Sequence, residues 1–214
     1  SDTQYNRHLF MGWMSNWQYA NVVPTTTWRS AMTLPRELKL VETAKGIRVA
    51  SEPVKELQAL LSEPQVKTKL SGKSRYQLDE LFNITPGQFK FSFNLKNDKQ
   101  QAIDIVMSAD SGEQTTLRLD PIKGVMTLDR TEAGLSHFEP GFASIQTAPL
   151  DEGLEQYDVD VWIDKASIEV FVNKGVSTMT SVVFPTQAYH NVSVNAAQEV
   201  TLSEVQLNNI VGKK

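Results

Sequence analysis

At 214 residues the chain has room for one large or two small domains, and its 40% hydrophobic and 21% charged content is that of an ordinary globular protein. A formal net charge of −4 gives no electrostatic reason to expect nucleic acid or an anionic membrane as a partner. The lack of cysteine removes disulfides, thiol nucleophiles and cysteine-ligated zinc together, without naming a compartment.

The opening Ser1-Asp2-Thr3-Gln4-Tyr5-Asn6-Arg7 has no apolar core and reads as neither a signal peptide nor a membrane span. The chain is therefore expected to be cut from something longer. Residues 7–13 read as a strand, and Asn21 to Thr27, with Pro24 and three threonines, as an extended loop. Arg29 to Thr33, Leu38 to Glu42 and Gly46 to Ala50 give three more short strands, the last two joined by Ala44-Lys45-Gly46. Together, residues 1–50 have the size of one propeller blade. Ser51-Glu52-Pro53 opens a predicted helix over 51–63, with Ser51 as N-cap and Val54, Leu57, Leu60 and Leu61 on one face.

From residue 64 to 214 the period changes to two. Phe89, Phe91, Phe93 and Leu95 alternate with Lys90, Ser92, Asn94 and Lys96. Ile103, Ile105 and Met107 repeat the pattern, as do Leu117 with Leu119, Val125 with Thr127, Tyr157 to Ile163, Ile168 to Val172, Val182 to Phe184, Val192 to Val194, and Val200 to Leu207. Turn signals such as Thr85-Pro86-Gly87 and Asn173-Lys-Gly175 separate the runs. With no helix left to cover them, the sheets must cover each other. An all-β fold follows: an antiparallel β-sandwich, jelly-roll or concanavalin-like, behind a partial blade and a short linker helix.

Four of the nine Trp and Tyr residues (Trp13, Trp17, Tyr19 and Trp28) fall within sixteen positions. Amphipathic aromatics of this kind stack on the apolar faces of sugars. The order of residues is more specific. Gly12-Trp-Met-Ser-Asn-Trp-Gln-Tyr-Ala20, then Trp28-Arg-Ser-Ala-Met-Thr-Leu-Pro-Arg-Glu-Leu38, resembles glycoside hydrolase family 32, the β-fructosidases that include levanases, exo-inulinases and invertases. Val161-Trp-Ile-Asp-Lys-Ala-Ser-Ile-Glu-Val-Phe-Val-Asn-Lys-Gly175 is similar to a hairpin of that family's C-terminal module, and Thr127-Leu-Asp-Arg-Thr131 with Gly134 to the run before it.

The resemblance implies the last blade of a five-bladed propeller followed by a C-terminal sandwich. It also implies a secreted, periplasmic or cell-surface parent acting on fructan or sucrose-type carbohydrate, with the upstream propeller as this region's partner. The scattered His8, His137 and His190 suggest neither a metal triad nor a Ser-His-Asp set, and no cofactor or metal is expected. Retaining glycosidases need two carboxylates about 5–5.5 Å apart. The family's Asn-Asp-Pro-Asn, Arg-Asp-Pro and Glu-Cys-Pro elements are all missing: Asp120-Pro121 follows Leu119, and Glu52-Pro53 and Glu63-Pro64 lack the cysteine. No catalytic residue is expected in this chain. By position the resemblance makes Trp13 a sugar-contacting residue, with Asn16 and Trp17 as secondary substrate-binding candidates, while Arg36 and Glu37 are expected to bond within the blade. Exposed apolar surface around Phe10 to Trp17 would favour homo-oligomers of the chain alone.

A carbohydrate-binding module is the alternative function. It would need exposed aromatics on the sandwich, and Tyr76, Tyr157, Trp162 and Tyr189 are the candidates. Trp162 alternates out of phase with Val161 and Ile163 and is expected on the outer face, in a satellite packing site there in preference to facing solvent or a partner. Asp158 and Asp160 share one face of a predicted strand and read as solvated.

Overall fold

A computed structural model describes residues 6–212 of the chain. Strand accounts for 52% of it and helix for 3%, so sheets do supply the layers. Among the described residues no helix is long and apolar enough to cross a membrane.

The first unit is a three-stranded antiparallel sheet of β1 (His8–Phe10), β2 (Arg36–Thr43) and β3 (Gly46–Pro53), in that order. The strand expected at Arg29 to Thr33 is absent. Ser30 adopts φ +66°, which breaks the extended run and leaves only an isolated bridge between Trp13 and Met32. The expected helix is also changed. It is a 3-10 helix over Lys55–Leu60, and Ser51 to Pro53 belong to β3, paired with Leu38, Glu37 and Arg36. The Ser51 N–H is already committed to the carbonyl of Gly175 at 2.9 Å, so it begins no helix. Val54 takes the N-cap position without a side-chain bond, and a short uncapped segment settles into the tighter turn. Its apolar face is as predicted: Val54 and Leu57 are buried against Trp162 and Phe171.

The sandwich is built from β4 (Gln65–Gln77), β5 (Phe89–Lys96), β6 (Ile103–Ser108), β7 (Gln114–Asp120), β8 (Val125–Asp129), β9 (Ile145–Pro149), β10 (Gln156–Asp164), β11 (Ser167–Val172), β12 (Ser177–Val182) and β13 (Asn191–Asn209). These ten strands form one hydrogen-bonded sheet folded on itself, in the order β12-β11-β10-β5-β13-β6-β7-β8-β9, with β4 alongside β13. The fold line is β13. Its first part pairs with β6 from Asn191 to Ala196, and its second pairs with β5 from Thr201 to Asn209. Register shifts between Asn195 and Leu202 supply the bend. The far edges nearly meet, where the Ser177 hydroxyl donates to the Pro149 carbonyl at 2.8 Å. Phe89, Phe91, Phe93 and Leu95 lie in one core cluster with Ile103, Ile105 and Met107, as their alternation predicts.

Four strands of the sandwich differ from expectation, the first being β4, whose lysine-rich, polar sequence carries no apolar alternation. On β8 the buried pair is Met126 and Leu128, one residue out of phase with Val125 and Thr127. The expected strand at Val182 to Phe184 ends at Val182, and β12 lies mostly before it in a polar run with one apolar residue, Met179. Strand β9 carries no apolar alternation. It is an edge strand that ends in a proline, Pro149.

The β11–β12 turn reaches back to the blade. Asn173, Lys174 and Gly175 all have positive φ, and a Cβ on Gly175 would lie 2.2 Å from the Ser51 carbonyl oxygen. Gly175→Ala is therefore expected to lower the denaturant midpoint by an amount worth roughly 2 kcal/mol or more. Gly153→Ala, at φ +70° with nothing within 4 Å of the added carbon, should show only the smaller backbone strain.

Candidate functional site

Trp13 is carried on a short antiparallel clamp. The Gly12 N–H donates to Thr33 Oγ1 at 2.9 Å, the Thr33 N–H donates to the Gly12 carbonyl at 2.8 Å, and the Met14 N–H donates to the Ala31 carbonyl at 2.9 Å. Glycine at position 12 relieves a tight fit in the clamp, where a Cβ would stand 3.3 Å from the Phe10 ring and 3.4 Å from Thr33 Cγ2. Asn16 then turns the chain. Its Oδ1 accepts the Gln18 N–H at 2.9 Å, and its carbonyl accepts the N–H groups of Tyr19 and Ala20. The turn brings the Trp17 ring to 5.2 Å from that of Trp13, tilted by 60°.

Trp13, Asn16 and Trp17 thus come together at the surface, and the two indoles are 39% and 85% exposed. Paired exposed indoles offer an apolar face with N–H donors at its rim, which is chemistry that suits a sugar ring. No carboxylate pair of the kind a glycosidase requires stands beside them in this sequence stretch, where residues 11–35 contain neither Asp nor Glu.

Two apolar clusters fix this surface to the sandwich. In the first, Tyr19 and Val23 are buried against Phe142, Val182 and Phe184, with Tyr19 edge-on to Phe142 at 5.2 Å. Arg130 lies beneath them, with its guanidinium carbon 4.0 Å from the Phe142 ring centre and 5.6 Å from that of Tyr19. It donates to the carbonyls of Phe142 and Val182 and to the Ser181 hydroxyl. No carboxylate among the described residues lies within ion-pair distance of it. Carbonyl oxygens and ring faces take the place of a counter-ion.

The second cluster lies over β10 and β11. Trp162 is on the outer face as its phase predicts, yet it is only 5% exposed because the 3-10 helix covers it. The satellite packing site expected for it on the outer face is this cluster. Beside it, Arg36 leaves the blade altogether. Its Nη2 donates to Glu169 Oε2 at 2.5 Å and to the Thr180 hydroxyl at 2.6 Å, and its guanidinium stacks on Phe171 at 4.8 Å. The other oxygen of Glu169 accepts the Leu34 N–H at 2.7 Å. Only Glu37 bonds locally, to Arg7 at 3.0 Å, so the expected within-blade role holds for Glu37 and fails for Arg36.

The four aromatics required by a binding module are all buried. Tyr76 donates to the Val200 carbonyl, Tyr157 to that of Asp151 and Tyr189 to that of Ala133, so each phenol is used in holding the sandwich together. Asp158 and Asp160 do share a face, but that face is not simply solvated. Burial pushes Asp160 up to about 6 against the opposing pull of Lys90, whose Nζ lies 3.2 Å away. Burial likewise raises Asp158, opposed by Lys174 and Lys90 and reinforced by the charge of Glu52.

Residues 1–53 match the family model for the N-terminal domain of glycosyl hydrolases family 32, and residues 56–209 match the model for that family's C-terminal domain. The chain belongs to glycosyl hydrolase family 32. It is 34% identical over 206 residues to a levanase of Bacillus subtilis, covering 90% of this chain and 29% of the relative. To an extracellular exo-inulinase of Aspergillus awamori it is 31% identical over 184 residues, covering 84% and 34%. The chain therefore spans about a third of the length of these curated relatives. The crystal structure of exo-inulinase from Aspergillus awamori superposes with a TM-score of 0.80 at 26% identity, over 97% of this chain and 41% of that one. Fructan 1-exohydrolase IIa from Cichorium intybus, at 16% identity, shares the fold with a TM-score of 0.74 over 100% of this chain and 47% of that one.

The buried carboxylates make stability depend on pH. An unfolded Asp titrates near about 3.9, so between about pH 4 and pH 6 the folded chain holds a proton on Asp160 that the unfolded chain has released. Stability from this group is therefore highest at the acid end of that window and falls as pH rises through it. Asp158 acts in the same direction. Three groups act in the opposite direction. Burial would raise Glu113 but bonds from Thr186, Ser111 and Gln187 lower it, and burial would raise Asp120 but Lys123 lowers it. Glu56 is lowered chiefly by its bond from Arg7, so the loss from all three comes only at more acid pH. The thermal midpoint is expected to be about 2–6 °C higher at pH 5 than at pH 7. The difference should shrink by at least about half in Asp160→Asn, measured by calorimetry.

Proposed function

We propose that this chain is the C-terminal region of a longer, extracellular β-fructosidase acting on levan- or inulin-type fructans. In that reading the sandwich is an accessory structural layer, and residues 1–53 complete a propeller that carries the catalytic carboxylates. The observation that carries it is where the apolar surface lies. Among the described residues, eleven of the seventeen exposed large hydrophobic side chains fall between Leu9 and Val49, whereas the sandwich encloses its own core. On the β2–β3 hairpin, Leu40 faces Val49 directly across the strands, with Ile47 beside them, and all three are exposed. A surface of this kind needs a partner layer, and relatives about three times as long have the length to supply one.

In the complete site, Trp13 places its ring against the apolar face of the terminal fructosyl unit. Among the described residues Asn16 Nδ2 carries no hydrogen bond, so it can donate to a sugar hydroxyl, while its Oδ1 remains in the turn. Trp17 backs Trp13 and extends the apolar wall. Levanase and extracellular exo-inulinase among the relatives support the choice of fructan and the extracellular setting. The burial of Tyr76, Tyr157, Trp162 and Tyr189 weighs against a free-standing sugar-binding module.

The test is fructose release from levan, inulin and sucrose. The purified chain should release none, should give no calorimetric signal with fructan oligosaccharides, and should self-associate in sedimentation. The protein carrying the preceding segment should release fructose, and Trp13→Ala in it should raise KM about tenfold, equivalent to roughly 1.4 kcal/mol. Fructose release by the chain alone would overturn the reading.

A further inference from the structure

We infer that Glu169, on β11 of the sandwich, is a positioning residue for the Trp13–Trp17 surface; this rests on the proposed sugar site. The carboxylate divides its two oxygens between two tasks. Oε2 takes the Arg36 guanidinium, which ties blade to sandwich, and Oε1 takes the backbone N–H of Leu34 at 2.7 Å. A contact that served only to join two layers would not need the second bond.

The second bond leads to Trp13. Leu34 directly follows Thr33, which exchanges two hydrogen bonds with Gly12. Met32 bridges Trp13, and the Ala31 carbonyl accepts the Met14 N–H. Residues 31–33 thus form the template on which Trp13 lies, and the end of that template is pinned to Glu169. Apart from Tyr19 and Val23 in the Phe142 cluster, little else in this stretch sets its height. Between β1 and β2 the chain contains no strand beyond that single bridge, and Ser30 at φ +66° interrupts it. The pin itself is rigid. Glu169 is 2% exposed on a strand paired on both sides, opposite Trp162 on β10 and Thr180 on β12. The orientation of the indole pair is therefore referenced to the sandwich rather than to the blade that carries it.

Two variants separate positioning from general stability. Glu169→Gln removes the charge and keeps one oxygen acceptor. Arg36→Met with Glu169→Leu fills the interface with apolar groups and removes the Leu34 acceptor without leaving a buried charge alone. Hydrogen–deuterium exchange on this chain should show amides at residues 12–14 and Leu34 exchanging at least ~10-fold faster in the double variant, with β10 and β11 within about twofold of the parent. In the longer, fructose-releasing protein the same variant should raise KM about fivefold or more and leave kcat within about twofold. Exchange that rises evenly across the chain, or that is unchanged at residues 12–14, overturns the positioning role. Localised exchange with an unchanged KM overturns the placing of Trp13 at the sugar, and the inference with it. Failure of the unmutated longer protein to release fructose is a separate result, against the proposed function alone.

Discussion

The Arg36–Glu169 pair is the point on which blade and sandwich depend. Both side chains are nearly withdrawn from water, and an isolated charge there would be expensive. The pair is tolerable because each partner has more than the other to bond. Thr180 and the Phe171 ring serve the guanidinium, and the Leu34 N–H serves the second carboxylate oxygen. Arg36 Nε is buried without a hydrogen-bond partner among the described residues. Removing either residue would leave a buried charge uncompensated, a loss of about 3–5 kcal/mol in comparable sites.

Around that pair the other contacts between the two units are arranged by type. On one side lies the connector, with Val54 and Leu57 against Trp162 and Phe171. On another is the aromatic cluster over Arg130, and at the turn the backbone bond from Ser51 to Gly175. Apolar burial supplies most of the affinity between the units, while the charged and backbone bonds allow only one alignment. That alignment is what gives the exposed tryptophans a defined place.

The sandwich was legible in the sequence where alternation was strong. Phe89 to Leu95 and Ile103 to Met107 announce both strand and inward face, and the buried core contains them. Legibility failed where the local pattern was polar or misleading. Strand β12 is polar because it lies against the Arg36 and Arg130 networks, and β9 is an edge strand with no apolar face of its own. The Ser51 cap signal was locally sound, but the ladder with Leu38 and the bond to Gly175 won the residue for β3. The site residues were legible only through the order of the Gly12 to Ala20 run. Their support was not: Glu169 lies 135 residues from Leu34, and no local pattern joins them.

The folded-over sheet has a consequence for the order in which the molecule forms. Strand β13 is central to both layers and comes last in chain order among the described strands. Strand β4 pairs only with β13, with Lys67 opposite Val205 and Leu70 opposite Leu202. An emerging chain therefore carries β4 unpaired until β5 to β12 and then β13 have been synthesised. Lys67, Lys69, Lys73 and Arg75 along that strand form no ion pair among the described residues. Cations on an unpaired strand discourage other strands from adding to it. They guard β4 through the delay and still line its open edge once β13 has arrived.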